Sequence, residues 1–156
     1  MIKVKQKFMN KLLLEKIIDN KEILEELLVI DNERMGTNIT VNVLLQKLLF
    51  ASKKYNIENQ NNILIIYDGN PCITYQLLNS FTLVNNIILY PNYSYLGINS
   101  LLVNLYDNNK CFLSKDRNYN KYLNSQMIFE QVYVVGNVEM YELIKRDFTN
   151  AIFIEE

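Results

Sequence analysis

Histidine is absent from all 156 residues. Its absence removes the commonest general acid/base near neutrality, the usual nitrogen ligand for zinc, and any Ser-His or Cys-His nucleophile pair. Catalysis would fall to carboxylates, Lys, Tyr or Cys. Cysteine is scarce too: Cys72 and Cys111 stand far apart, fit no metal-ligand spacing, and read as reduced, buried and inert. No cluster of Lys and Arg is present, and the net charge is -1 with the two signs interspersed, so nothing here would neutralise a phosphate backbone. No apolar run approaches the roughly 20 residues that span a bilayer. Lys3, Lys5, Lys7 and Lys11 precede Leu12, Leu13 and Leu14 as in a signal peptide, but Glu15, Lys16 and Asp19 interrupt the apolar stretch. The expectation is a cytoplasmic protein with neither membrane nor nucleic acid as partner. GxGxxG and GxxxxGK[ST] are also missing, which leaves the common dinucleotide fingerprint and the P-loop without support.

The residues that are present suit one globular domain. Hydrophobic content is 49% and charged content 21%, enough apolar surface for a real core at this length. The 23 asparagines are scattered through periodic segments and read as compositional bias. Residues 1–56 form a helical lead-in. Phe8, Leu12, Leu13, Ile17 and Ile18 repeat at helical spacing. Asp19 and Glu22 resemble a capping box ahead of a second helix with Ile23, Leu24, Leu27 and Leu28 inward. Asp31 to Asn38 reads as a loop. Thr40 caps a third helix whose face is Val41, Leu44, Leu45, Leu48 and Leu49, with Lys53 and Lys54 in its last turn.

From residue 63 to 156 the period changes to alternating strands and helices. Ile63 to Tyr67, Ile87 to Tyr90, Cys111 to Leu113, Val132 to Val135 and Ala151 to Ile154 are apolar runs of strand length, as expected for strands covered on both faces. Helices are expected over Ile73 to Phe81, Leu96 to Leu105, Tyr119 to Phe129 and Val138 to Phe148. Such alternation predicts a three-layer α/β domain of about five largely parallel strands, with the N-terminal helices packed on it. Ligands of such sheets bind outside the carboxyl ends of the strands. Three turns lie there: Asp68-Gly69-Asn70-Pro71, Pro91-Asn92-Tyr93-Ser94 and Gly136-Asn137-Val138-Glu139. Gly, Asn and Pro also serve any tight turn, so each of these has a purely structural reading beside the functional one. The tyrosines Tyr90, Tyr93, Tyr95, Tyr106, Tyr119 and Tyr122 read either as an aromatic interaction surface or as half-buried packing.

The run Ile65-Ile66-Tyr67-Asp68-Gly69-Asn70-Pro71, the helix to Val84, then Asn85-Asn86 and a strand ending Tyr90-Pro91-Asn92 resemble the cofactor-binding half of the aldehyde dehydrogenase superfamily. Leu123 to Met127 leading to Val132 to Asn137 is similar to that family's segment ending Phe-Thr-Gly-Ser. The resemblance lies in collinear order over nearly the whole chain and in no single motif. It implies a Rossmann-type domain with candidate cofactor contacts at Asn70, Tyr90, Asn92, Gly136 and Asn137. Departures from the pattern bear on function. The family's ribose-holding lysine falls on Tyr90, an acidic position on Tyr93, and a glycine that admits pyrophosphate on Tyr141. Asn70 matches the oxyanion-stabilising asparagine approximately, and Glu155 aligns with the general base but reads as a solvated terminus. The resemblance ends before the family's nucleophilic cysteine, and a dimerisation hairpin is missing between Tyr55 and Ile63. It thus implies a non-catalytic module acting through a protein partner or self-association. The alternatives are a small sensor domain holding NAD or a fragment of it, and half of a split dehydrogenase. No cofactor or metal is expected to be required, with NAD the one that would fit.

Overall fold

The computed structural model describes residues 13–57, 62–81, 86–92, 94–106, 110–116 and 129–156. Five parallel strands form one sheet in the order β3-β2-β1-β4-β5. They are β1 (Ile63–Ile66), β2 (Ile87–Tyr90), β3 (Cys111–Leu113), β4 (Gln131–Val135) and β5 (Ala151–Ile154). The central pair is apolar at nearly every position because both faces are covered, and every residue of β1 and β4 is buried. One face carries Leu64, Ile66, Val132 and Val134 against α6 (Val138–Asp147), with Ile144 as its buried contact. The other face carries Ile63, Ile65, Tyr67, Leu89, Tyr133 and Val135. It packs beneath α1 (13–19), α2 (Lys21–Met35), α3 (Val41–Phe50), α4 (Pro71–Ser80) and α5 (Leu96–Tyr106). The result is a three-layer α/β fold.

Helix starts explain the placement of the polar residues. Thr40 caps α3 by accepting from Val43 N–H, Asn70 caps α4 through Cys72 N–H with Pro71 in the first turn, and Asn137 caps α6 through Met140 N–H. Helix α5 lacks such a neighbour. Tyr95 precedes it at φ +48°, and a tyrosine ring cannot cap. Asp31, buried within α2, supplies the acceptor instead: its carboxylate takes Gly97 N–H at 3.2 Å and Ile98 N–H at 2.8 Å. A carboxylate at this end also complements the helix dipole. Gly97 lies so close that a Cβ would stand 3.2 Å from both Asp31 oxygens.

The expected elements are found with shifts. All five strands match to within one residue, and α4, α5 and α6 to within two. The helix expected over 119–129 lies outside the described residues except Phe129, which is not helical. Phe8 and Leu12 also fall outside them. Asp31 to Met35 is helix, not loop, because α2 continues until Gly36 turns it off at φ +67°. The Asp19/Glu22 capping box does not form; Asn20 precedes α2 with no side-chain cap. Lys53 and Lys54 lie beyond α3, whose last turn holds Lys47. Inward faces are narrower than the periodicity predicted. Ile18, Ile23 and Leu49 are exposed while Leu13, Ile17, Leu24, Leu28, Leu44 and Leu48 are buried, since helices on a surface layer bury only one stripe.

Candidate functional site

Strand order reverses between β1 and β4: the chain steps outward through β2 and β3 and then returns to the far side of β1. In open parallel sheets that reversal opens a crevice at the carboxyl ends of the strands. A cleft of about 300 Å³ occupies this place on the α6 side. Ile66 ends β1 and Tyr90 ends β2, and both form its floor with Ile144. Asn92, Asn137 and Glu139 contribute polar groups, while Met140 and Leu143 close the α6 wall. Among the described residues the lining carries no Lys or Arg and holds one carboxylate, that of Glu139. Asn137 has its side-chain oxygen engaged at Met140 N–H, 2.9 Å away, which leaves its amide as a donor. Asn92 is exposed at φ +41°, a conformation that asparagine tolerates better than most residues.

Of the five candidates from sequence, Tyr90, Asn92 and Asn137 therefore meet in one cleft. Gly136 does not join them. Its N–H donates to Ile154 O at 2.8 Å, and a Cβ there would meet Glu156 Oε2 at 3.0 Å. Asn70 lies on the opposite side of the sheet, where its side chain caps α4. Tyr141 packs on Phe153 of β5, with ring centroids 5.5 Å apart, and does not line the cleft. Glu155 is exposed, and its carbonyl accepts from Lys53 Nζ. Tyr93, Tyr119 and Tyr122 lie outside the described residues. Tyr90 is buried, whereas Tyr95 and Tyr106 are half-buried. Sequence reasoning named Glu139 within its turn but missed Met140 and Leu143, although their spacing along α6 marks a common face.

The turns themselves are locked from below by a buried polar chain. Asn99 donates to Gly69 O at 2.9 Å and to Ser94 O at 3.0 Å, so one amide ties the β1–α4 turn to the β2–α5 turn. Its oxygen accepts from Thr74 Oγ1 at 2.7 Å. With Thr74's only proton so placed, the 2.6 Å contact with Tyr67 must carry the tyrosine proton toward threonine. Burial pushes the Tyr67 hydroxyl well above its ordinary value, with its hydrogen bond to Thr74 opposing and nearby Cys111 and Asp68 adding to the rise. Gly69 is required here: at φ +92°, a Cβ would sit 2.5 Å from Pro91 O and 2.6 Å from Ser94 Cβ.

A second cleft of about 230 Å³ lies across the sheet, between α3 and the β1–α4 turn. Ile39, Leu44 and Pro71 give it an apolar floor, and Lys47, Asp68, Asn70, Cys72 and Tyr95 also face it. The Cys72 thiol is pushed up by partial burial, which the Lys47 ammonium partly offsets. Cys111 is buried and its thiol is pushed up to about 12. Both cysteines therefore stay protonated near neutrality, unlike an activated nucleophile. Among the described residues no group of three His, Cys, Asp or Glu side chains could hold a metal ion, and no helix is long and apolar enough to cross a membrane. No protein-family model matches the chain, and no curated protein is a significant match.

Proposed function

We propose that this chain is a non-catalytic, dehydrogenase-like binding module that holds a nucleoside-type ligand, such as the adenosine end of a nucleotide, in the switch-point cleft. The observation that carries this reading is the meeting of Tyr90, Asn92 and Asn137 at the strand-order reversal, in a cleft of about 300 Å³. An apolar floor suits a planar base, while the amides and the Glu139 carboxylate suit ring nitrogens and ribose hydroxyls. Among the described residues the lining offers no cation to a pyrophosphate, and Glu139 repels one. The reading thus favours adenosine over NAD. Calorimetric titration with adenosine, AMP and NAD tests it, with affinity expected to fall in that order. Asn92→Gly keeps the φ of +41° accessible and should weaken adenosine about fivefold, the equivalent of one hydrogen bond. Absence of heat with all three ligands at millimolar concentration sinks the proposal.

A second reading, association with a protein partner or another copy, is favoured by a specific observation. Val29 is 65%, Leu49 62% and Phe50 74% exposed on α2 and α3. Large apolar side chains exposed on these two helices suggest an interaction surface. Light scattering across a concentration series tests self-association, and a constant monomer mass removes that arm.

A further inference from the structure

We propose that the cleft between α3 and the β1–α4 turn binds a small zwitterion, an α-amino acid with a short apolar side chain. This site is separate from the switch-point cleft and stands whether or not that cleft holds a nucleoside.

Opposite charges frame it. Lys47 approaches from α3 and Asp68 from the turn after β1, and among the described residues no ion pair joins them. Asp68 Oδ1 is engaged by Asn70 N–H at 2.9 Å, which leaves Oδ2 to accept. Asn70 Oδ1 is engaged by Cys72 N–H at 2.9 Å, which leaves the amide to donate. The Tyr95 hydroxyl donates to Thr37 Oγ1 at 3.1 Å, so its lone pairs remain open to a ligand donor. The Lys47 ammonium is close enough to bear on the Cys72 thiol, which places its field on the cleft.

A ligand carboxylate therefore meets Lys47 and the Asn70 amide, and a ligand ammonium meets Asp68 and Tyr95. Ile39, Leu44 and Pro71 receive a short aliphatic group. The volume of about 230 Å³ falls below the roughly 300–1,000 Å³ of sites for drug-sized molecules, which restricts the ligand to amino-acid size. A singly charged compound satisfies only one half of this arrangement and leaves the opposite charge without a partner in the cleft.

Cys72 lines the cleft and Cys111 is buried, so thiol alkylation reads the site directly. L-Alanine or L-serine at four times its dissociation constant should slow iodoacetamide labelling of Cys72 about fivefold, by simple occupancy. Acetate and methylamine, each carrying one charge, should leave the rate unchanged. Lys47→Met and Asp68→Asn should abolish amino-acid protection; both side chains are exposed, and circular dichroism verifies that the fold persists. Calorimetry with L-alanine gives an independent reading, with heat that Lys47→Met removes. No protection and no heat at tens of millimolar amino acid overturns the proposal. So does equal protection by acetate, which would mark a plain anion site, or protection that survives Lys47→Met.

Discussion

Replacing Asn99 with aspartate keeps the shape of the side chain and removes both of its donors. Gly69 O and Ser94 O, 2.9 and 3.0 Å away, would then face a carboxylate at a position with no solvent exposure. An uncompensated buried charge costs about 3–5 kcal/mol, a large share of the roughly 5–15 kcal/mol that holds a domain together. The fold resists this by favouring the protonated acid, whose O–H can donate to one of the two carbonyls while its C=O still accepts from Thr74. The carboxyl's folded pKa is thus raised above its unfolded value near 3.9. Above that unfolded value the native state binds more protons, so the penalty grows with pH at about 1.4 kcal/mol per unit until the folded pKa is reached. Near pH 4 and below, only the lost hydrogen bond remains, at about 1–2 kcal/mol. Urea unfolding of Asn99→Asp and the parent at pH 4 and pH 7 measures the difference. A penalty equal at the two pH values, or below about 1 kcal/mol at pH 7, would refute the assignment of Asn99 as the tie between the turns.

Three further outcomes are expected. Gly69→Ala should destabilise by more than about 3 kcal/mol through overpacking and a disfavoured φ, whereas Gly36→Ala, with nothing within 4 Å of the new Cβ, should cost only about 1 kcal/mol; thermal unfolding of the two variants compares them. Asp31→Ala should cost about 2 kcal/mol by leaving two helix N–H groups of α5 without an acceptor, measurable as faster amide exchange at Gly97 and Ile98. The buried Cys111 thiol, raised from an ordinary 9.0 to about 12, stays neutral in the fold while the unfolded chain ionises. Stability from this group is therefore present below pH 9 and is lost as pH rises above it, reaching about 2 kcal/mol near pH 10.5. Cys111→Ala should flatten that part of the alkaline unfolding curve, and an unchanged curve would exclude the thiol as its source.

The strands were legible because their signal is local. Ile63 to Ile66 and Gln131 to Val135 are buried throughout, and a run covered on both faces reads as unbroken hydrophobicity. Helix α2 was cut short because Asp31-Asn32-Glu33-Arg34 is polar enough to pass for a loop. What keeps Asp31 inside is a pair of N–H groups 66 and 67 residues away, information that no window of sequence contains. Site residues divided the same way. Tyr90, Asn92 and Asn137 meet because turns at strand ends converge there, whereas Asn70 faces the cleft on the other side of the sheet and Gly136 is taken up by the packing of Glu156. Lys47 and Tyr95 gave no local signal, because only the docking of α3 on the β1–α4 turn brings them together.

The loan of an acceptor from α2 to the start of α5 also bears on how this protein could be divided. Periodicity draws a line between the helical front and the alternating back, and an engineer would be tempted to express the back alone. That fragment would begin α5 behind a tyrosine with exposed amide protons, beside the two turns that shape both clefts. The front segment is therefore an organ of the half that carries the strand-end turns, and cutting at the change of rhythm should yield a chain that forms its strands but holds neither pocket in shape.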